Sequence, residues 1–554
     1  MIFSKWGESK NGYVLFLKRS HVGSRRKQSL EKSFPACRSI VNANTWDRIV
    51  ETCASDPEAF PEAVALHADD PSIPDFIGEL ARLELAVTKV TNGEEQIPLE
   101  VNQLELNPTI QLLQLSWKNL TPILDSETGV GPQGPEPGEE FVLVWRDPKT
   151  AETRTQAASD EDLLVLKMYV EGIEPEEAAA AGDLPVGVID GAIDRAVGRG
   201  IFLQPPSRIR RDPASFPVGE NTDEQFLSAS VFALQWHITQ VCDLHCKHCY
   251  DRSNRSPLKL EKAIEILDDL RSFCLSRHVG GHVSFTGGNP LLYPRFSDLY
   301  RAASERGLGI AILGNPAPRE GIEELLEIQQ PSFFQVSLEG LPKHNDTIRG
   351  SGHFERVIEF LKVLRQLDVF SMVMLTLTKD NIDQVLPLGE MLRDLTDSFN
   401  FNRLSMVGEG ASLHLPTRSE YVDFLEAYVE AAENNPVLRL KDNLINILCK
   451  EKGLEPFGGC TGYGCGAAFN FIVALSDGQT HACRKFPSPI GNVLEQSISD
   501  IYDSEIAARY RSGCQACRDC TIRPVCGGCM AISHSHGLNV FEDRDPYCFI
   551  ARSS

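Results

Sequence analysis

The stretch HITQVCDLHCKHCYDRS, residues 237–253, decides the fold class, because three cysteines follow directly on an apolar run. Cys242, Cys246 and Cys249 are separated by three and then by two residues. Three thiolates are one ligand short of a closed structural zinc site, whereas a cubane iron–sulfur cluster on three cysteines keeps one iron open for a further ligand. The loop therefore predicts an iron–sulfur cluster with an open coordination position.

A zinc ion is the alternative occupant of this loop. His245 or His248 would have to supply its fourth ligand. Both histidines lie in the same tight loop as the cysteines, which makes tetrahedral coordination awkward. The spacing thus favours iron over zinc.

The apolar run before the cysteines is the first of six, and each is followed by a longer amphipathic stretch. The runs span residues 231–238, 282–285, 310–313, 333–338, 372–377 and 399–404. This alternation predicts an α/β domain with a parallel sheet covered by helices, either doubly wound or a partial barrel. Chemistry in such folds gathers at the C-terminal strand ends, which is where the three cysteines lie.

The three-cysteine motif, followed by the aromatic Tyr250, resembles that of the radical S-adenosylmethionine (SAM) enzymes. The resemblance implies a partial (β/α)6 barrel and a 4Fe–4S cluster on Cys242, Cys246 and Cys249 whose open iron binds SAM. It also implies that an electron cleaves SAM to a 5'-deoxyadenosyl radical, which then takes a hydrogen atom from the substrate. The backbone of Tyr250 would lie against the adenine.

The sequence SFTGGNP, residues 284–290, resembles the Gly-Gly-Glu-Pro motif of that family. The resemblance implies that Gly287, Gly288 and Asn289 bind the methionine ammonium of SAM. Asn289 stands where the family has an acid, so its amide oxygen would accept a hydrogen bond without a full negative charge.

A third match is QVSLEGLPKHNDTIRG, residues 335–350. By resemblance, Ser337 contacts the SAM ribose and Arg349 pairs with the SAM carboxylate. Both assignments depend on the family order of motifs, because an isolated serine at a strand end is usually structural.

Nine more cysteines crowd the C-terminal region. They are Cys460, Cys465, Cys483, Cys514, Cys517, Cys520, Cys526, Cys529 and Cys548. Nine thiols nearly match two four-ligand sites, and spacing alone cannot name the metal, so two structural zinc sites are an alternative. The upstream three-cysteine motif favours iron here as well.

This arrangement resembles the SPASM extension of radical SAM peptide-modifying enzymes, which holds two auxiliary 4Fe–4S clusters. The implied ligands are Cys460, Cys465, Cys483 and Cys529 for the first cluster, and Cys517, Cys520, Cys526 and Cys548 for the second. The CGGC gap before Cys529 has two residues where the family usually has three. Cys514 is surplus and could replace one of its neighbours as a ligand.

The part of the chain before the barrel has a different pattern. After the Pro- and Gly-rich stretch 125–139, a hairpin and three helical patterns suggest a winged helix. Between residues 151 and 205, eleven acids face four bases, which disfavours DNA as a partner. The outline resembles the recognition element that holds a leader peptide as an added strand, with a purely structural domain as the alternative.

The sequence thus predicts five regions. They are a mainly helical region at 1–124, a linker at 125–139, a winged-helix-like region at 140–212, a radical SAM core at 228–440 and a Cys-rich SPASM domain at 441–554.

Composition restricts the compartment and the partners. The chain has 77 acidic and 54 basic residues and a net charge of -23, which disfavours nucleic-acid binding. It lacks a run of 18 apolar residues and an N-terminal secretory pattern, so we expect no membrane span and a cytoplasmic location. In a reducing cytosol, 16 cysteines indicate metal or redox chemistry instead of disulfides.

Together these patterns predict a radical SAM and SPASM peptide maturase, similar to the selenobiotic-type maturases. Its substrate would be a Cys- or selenocysteine-containing precursor peptide, held through a leader, with a flavodoxin or ferredoxin as electron donor. One alternative is an anaerobic sulfatase-type protein maturase. The other is a non-catalytic iron–sulfur electron-transfer protein.

Overall fold

The computed structural model describes residues 30–124, 134–212, 216 and 223–550. The chain divides into two compact units, Met1–Pro206 and Ser207–Ser554. In the described part of the chain, no helix is both long and apolar enough to cross a membrane.

The first unit combines helices with a small antiparallel sheet. Its helices are α1 (Leu30–Ser33), α2 (Pro35–Ile40), α3 (Ala43–Thr52), α4 (Phe60–Leu66), α5 (Ile77–Asn92), α6 (Thr121–Leu124), α7 (Asp160–Glu171), α8 (Pro175–Gly182) and α9 (Val186–Gly198). Its strands are β1 (Glu105–Leu106), β2 (Gln111–Lys118), β3 (Glu136–Arg146), β4 (Thr153–Ala157) and β5 (Phe202–Leu203). The sheet has the order β2-β3-β4, and β1 pairs with β5.

Strand β3 is covered on both faces, which explains its continuous apolar run FVLVW. Val142 and Val144 belong to the core formed with the helices α1 to α5. Leu143 and Trp145, which point the opposite way, belong to the core that includes residues of α7 and α9. The hairpin β3–β4 followed by α7, α8 and α9 agrees with the winged-helix outline.

Two features of this unit differ from the sequence expectation. Strand β2 lies within residues 1–124, for which mainly helices are predicted, because its alternation of side chains in QLLQLSWK is that of a strand with one half-buried face. Strand β3 begins at Glu136, inside the predicted linker, of which residues 125–133 lie outside the described residues.

The second unit is built around a nine-stranded sheet. Its strands are β6 (Val231–Thr239), β7 (Gly280–Gly287), β8 (Gly309–Leu313), β9 (Phe333–Ser337), β10 (Ser371–Leu377), β11 (Ser398–Arg403), β12 (Phe471–Ala474), β13 (Gln479–His481) and β14 (Pro489–Asn492). Its helices are α10 (Leu260–Arg277), α11 (Phe296–Glu305), α12 (Arg319–Leu326), α13 (Pro342–Arg349), α14 (His353–Gln366), α15 (Val385–Met391), α16 (Arg418–Asn434), α17 (Ile445–Lys452), α18 (Ile498–Asp503), α19 (Glu505–Arg511) and α20 (Met530–Ser535).

The six predicted strands form one continuous parallel part of this nine-stranded sheet. Their order is β11-β10-β9-β8-β7-β6, and each neighbouring pair is parallel. Helices follow the strands, as the right-handed crossover of parallel strands requires. The α/β fold class and the six strand–helix repeats of a partial barrel are therefore confirmed.

The C-terminal region extends the same sheet, which the sequence did not indicate. Strand β12 pairs in parallel with β6, and β13 and β14 continue in antiparallel pairs. The Cys-rich region is thereby fixed beside the first barrel strand, which is the strand that precedes the three-cysteine loop.

Candidate cofactor and cluster sites

A cavity of about 410 Å³ lies at the C-terminal ends of the parallel strands. Of the residues predicted to bind the first cluster or SAM, those that line it are Cys242, Cys246, Cys249, Tyr250, Gly287, Gly288, Ser337 and Arg349. They come from the ends of β6, β7 and β9 and from α13, so the parallel sheet brings together positions that span more than 100 residues. Asn289 does not line the cavity.

The two glycines at the end of β7 allow a close approach of two backbones. Gly287 has φ +127°, and a Cβ there would lie 2.2 Å from the carbonyl oxygen of Thr239. A Cβ on Gly288 would lie 2.2 Å from the carbonyl oxygen of Val241. Side chains at these positions would push away the segment that leads into Cys242, so glycine is required by packing.

Hydrogen-bond donors surround the thiols of the three-cysteine loop. The Leu244 N–H donates to Cys242 Sγ at 3.4 Å, and Asn315 Nδ2 donates to the same sulfur at 3.6 Å. Arg349 Nη1 approaches Cys246 Sγ at 3.7 Å. Burial raises the pKa of the Cys242 and Cys246 thiols, so thiolates here need such donors or a bound metal.

Arg349 already has a carboxylate partner, which the sequence reasoning missed. Its Nη2 and Nε donate to Glu339 Oε1 at 2.6 and 2.9 Å. Glu339 is 1% exposed, and it also accepts the Thr376 N–H at 2.8 Å and contacts His248 Nε2 at 3.3 Å. Burial would raise the pKa of Glu339, but His248 and Arg349 outweigh it and the pKa is lowered.

The signal for Glu339 was present in the sequence SLEG, where an acid follows a predicted strand end. The structure places this acid behind the cavity, where it fixes the Arg349 guanidinium beside Cys246.

The Asn289 side chain has partners of its own. Its Nδ2 donates to Asp243 Oδ1 at 3.0 Å, and its Oδ1 accepts the Leu291 N–H at 3.3 Å. Asn315 Nδ2 donates to the same Asp243 oxygen at 2.6 Å. Asp243 thus ties the cysteine loop to the ends of two strands, and the contact of Asn289 with SAM stays a prediction.

A second cavity, of about 50 Å³, is lined by one complete set of predicted auxiliary ligands: Cys460, Cys465, Cys483 and Cys529. Burial raises the pKa of Cys465 to about 12 and that of Cys483 to about 11. Cys529, which follows the shortened CGGC gap, lies with the other three. Four cysteines around one small cavity fit a bound metal group, which would hold the buried Cys465 and Cys483 as thiolates.

A third cavity, of about 10 Å³, is lined by the other predicted set: Cys517, Cys520, Cys526 and Cys548. The surplus Cys514 is buried and hydrogen-bonded to Cys517, and it does not line this cavity.

Over the described residues, no group of three or more His, Cys, Asp or Glu side chains stands in the arrangement of a single-ion metal site.

Comparison with known families identifies the class. The radical SAM superfamily model matches residues 236–392, and the model of SPASM, an iron-sulfur cluster-binding domain, matches residues 465–529. With the parallel sheet and the three-cysteine loop, these matches make the chain a radical SAM enzyme with a SPASM domain. Its cofactors are 4Fe–4S clusters and SAM. The non-catalytic alternative is thereby excluded.

Individual relatives are distant. An AdoMet-dependent heme synthase of Methanosarcina barkeri is 24% identical over 340 residues, which cover 57% of this chain and 95% of that protein. The antilisterial bacteriocin subtilosin biosynthesis protein AlbA of Bacillus subtilis is 24% identical over 327 residues, 55% of this chain and 67% of that protein.

Among solved structures, SuiB of Streptococcus suis bound to the precursor peptide SuiA is similar in fold. It has a TM-score of 0.50 and 18% identity, and the match covers 74% of this chain and 96% of that one.

Proposed function

We propose that this enzyme is a maturase of ribosomally made peptides, and that its substrate is a Cys- or selenocysteine-containing precursor. The observation that carries the proposal is the three-stranded sheet of the first unit, with edge strands whose backbone can bind an extended peptide. The similarity to a bacteriocin biosynthesis protein supports the same class of substrate.

The cavity residues divide into those that hold the cofactors and those that fix them. Cys242, Cys246 and Cys249 would hold the SAM-binding cluster. SAM would be bound by Tyr250, Gly287, Gly288, Asn289, Ser337 and Arg349. When bound, the cluster and SAM supply the 5'-deoxyadenosyl radical.

Two acidic residues outside the cavity wall position residues that line it. Glu339 holds the Arg349 guanidinium beside Cys246, so the arginine enters the cavity in one fixed orientation. Asp243 holds Asn315 close to Cys242.

The auxiliary sites favour electron transfer over binding of a substrate thiolate. Each of their two cavities is lined by four cysteines, which could supply one ligand to every iron of a 4Fe–4S cluster. The clusters would pass on the electron left after hydrogen abstraction. A flavodoxin or ferredoxin in a reducing cytoplasm, where the cysteines stay free, would supply the electron for SAM cleavage.

We place the leader on β4, the edge strand that runs directly into α7. The Ala158 N–H donates to the Phe141 carbonyl at 2.7 Å, so this pair is hydrogen-bonded. Because pairing alternates along antiparallel strands, Thr155 and Ala157 direct their N–H groups away from β3. An extended leader can accept these bonds and add a strand to the sheet.

The test compares proline substitutions on the two edges of the sheet. Thr155→Pro removes an outward N–H of β4, and Leu112→Pro does the same on β2, at positions where an edge strand tolerates proline. The probe is a synthetic precursor peptide encoded beside this chain's own coding sequence. We expect Thr155→Pro alone to weaken its binding, measured by fluorescence anisotropy. If both variants bind the precursor peptide as tightly as the native enzyme, the sheet does not hold the leader. The sulfatase-type protein maturase would then be the better hypothesis.

A tetrapyrrole is the second candidate substrate, because the match to a heme synthase covers 95% of that protein. Mass spectrometry of the products separates the two candidates. A mass change in the precursor peptide supports the maturase, whereas a change in an added iron porphyrin with an unaltered peptide supports the heme-synthase reading.

A further inference from the structure

Arg403 occupies the boundary between the SAM cavity and the first auxiliary site. It ends β11, and it lines both the 410 Å³ cavity and the cavity of Cys460, Cys465, Cys483 and Cys529. Its side chain is 1% exposed, and a buried guanidinium is retained only where its charge and its donors find partners.

Two carboxylates satisfy this guanidinium. Nη1 and Nη2 donate to Asp545 Oδ1 and Oδ2 at 3.0 and 2.8 Å, and Nε donates to Asp442 Oδ2 at 2.8 Å. The two parallel bonds to Asp545 form the forked geometry that fixes both direction and distance. The guanidinium carries one positive charge and the two carboxylates carry two negative charges. Arg403, Asp442 and Asp545 together therefore have a net negative charge.

Asp545 connects this pair to the ligands of both auxiliary sites. Its Oδ2 accepts the backbone N–H of Cys529 at 2.9 Å, and its carbonyl accepts the backbone N–H of Cys548 at 2.9 Å. A Cβ on Gly528 would lie 2.7 Å from the Cβ of Asp545, so the segments pack without space between them. Asp545 therefore touches one residue of each cysteine set and, through Arg403, the SAM cavity.

We propose that Arg403 and Asp545 are a positioning pair that fixes the auxiliary clusters against the SAM cavity and sets their reduction potentials. The proposal rests on the proposed cluster ligands. Net charge and hydrogen bonds near the ligands determine the potential of an iron–sulfur cluster. The buried carboxylate of Asp545 disfavours the added negative charge of a reduced cluster, and so it lowers the potential.

The experiment is an EPR-monitored redox titration of the anoxically reconstituted holoenzyme. Asp545→Asn removes the buried charge at nearly constant size, and we expect the potential of at least one auxiliary cluster to shift to a more positive value. Glu542→Gln, an exposed acid three residues earlier, is the matched control and should leave the potentials unchanged because water and salt screen its charge. Equal potentials in Asp545→Asn and the native enzyme, with full iron content, would overturn the proposal.

A second variant keeps the test decisive if Asp545→Asn loses iron. Arg403→Lys retains the positive charge but replaces the forked contact by a single ammonium. We expect an altered EPR signal of an auxiliary cluster in this variant. Identical spectra overturn the proposal. Native enzyme that binds no auxiliary clusters would instead refute the proposed ligands.

Discussion

At the scale of single residues, the buried pair Glu339–Arg349 is the most consequential contact that lies beside the three-cysteine loop. Their side chains are 2% and 10% exposed. Glu339→Gln leaves the guanidinium without its charge partner, so we expect a loss of about 3 to 5 kcal/mol in the free energy of unfolding. Urea denaturation of the cluster-free protein measures this loss. Glu323→Gln removes the charge partner of Arg319 in an exposed ion pair, and it should lower the free energy of unfolding by less than about 1 kcal/mol.

The glycines at the end of β7 give a second prediction. Gly288→Ala forces a Cβ against the backbone of Val241. We expect the loop to move and the protein to lose iron at the three-cysteine site while it keeps the auxiliary clusters, measured by iron content and Mössbauer spectroscopy. Gly321→Ala in α12, where an added Cβ meets nothing within 4 Å, is the control. Full iron occupancy in Gly288→Ala would contradict the packing argument.

The residues that sequence could and could not identify differ in a physical way. The cysteines were predictable because metal ligands need a fixed residue type at fixed spacing. For Glu339 the sequence showed an acid after a strand end but not its contact with Arg349, and Asp243 and Asp545 likewise act on partners that only the fold brings near. Asp545 and Arg403 are 142 residues apart along the chain.

At the scale of elements, capping gives a prediction for each unit. Ser159 and Asp162 form a capping box at the start of α7, and Thr417 and Glu420 form one at the start of α16. Replacing Ser159 by alanine removes a hydrogen bond to a helix N-terminus and should cost about 1 kcal/mol. Thermal unfolding followed by calorimetry should show that Ser159→Ala lowers the transition of the first unit only. Thr417→Ala should lower the transition temperature of the second unit. A variant that instead lowers the transition of the other unit would contradict this prediction.

How well the sequence predicts a strand depends on the length of the strand and on how evenly its residues are buried. The six barrel strands are buried or half-buried along nearly their whole length, so each appears in the sequence as a compact apolar run. Strand β12 is itself a buried apolar run, FIVA, and the sequence did not indicate that it pairs with β6. Strands β13 and β14 have three and four residues, too few for a period to be informative. Strand β2 alternates between the less exposed Leu113, Leu115 and Trp117 and exposed positions, which is the period of a strand.

At the scale of the whole molecule, the cofactors should stabilise one unit and not the other. All proposed cluster ligands lie in Ser207–Ser554, and the first unit has hydrophobic cores of its own. A ligand that binds only the folded state raises the stability of the part that binds it. We therefore expect reconstitution with iron and sulfide to raise only the second calorimetric transition. A parallel rise of both transitions would contradict this expectation.

The central claim is that the loop of Cys242, Cys246 and Cys249 holds a cluster with an open iron for SAM. The direct measurement is the amount of 5'-deoxyadenosine formed by anoxically reconstituted enzyme with dithionite and SAM, in the native chain and in Cys246→Ala. We predict product in the native enzyme and none above background in the variant, with the auxiliary clusters of the variant still visible by EPR. Equal product in both, or none in the fully reconstituted native enzyme, would contradict the claim.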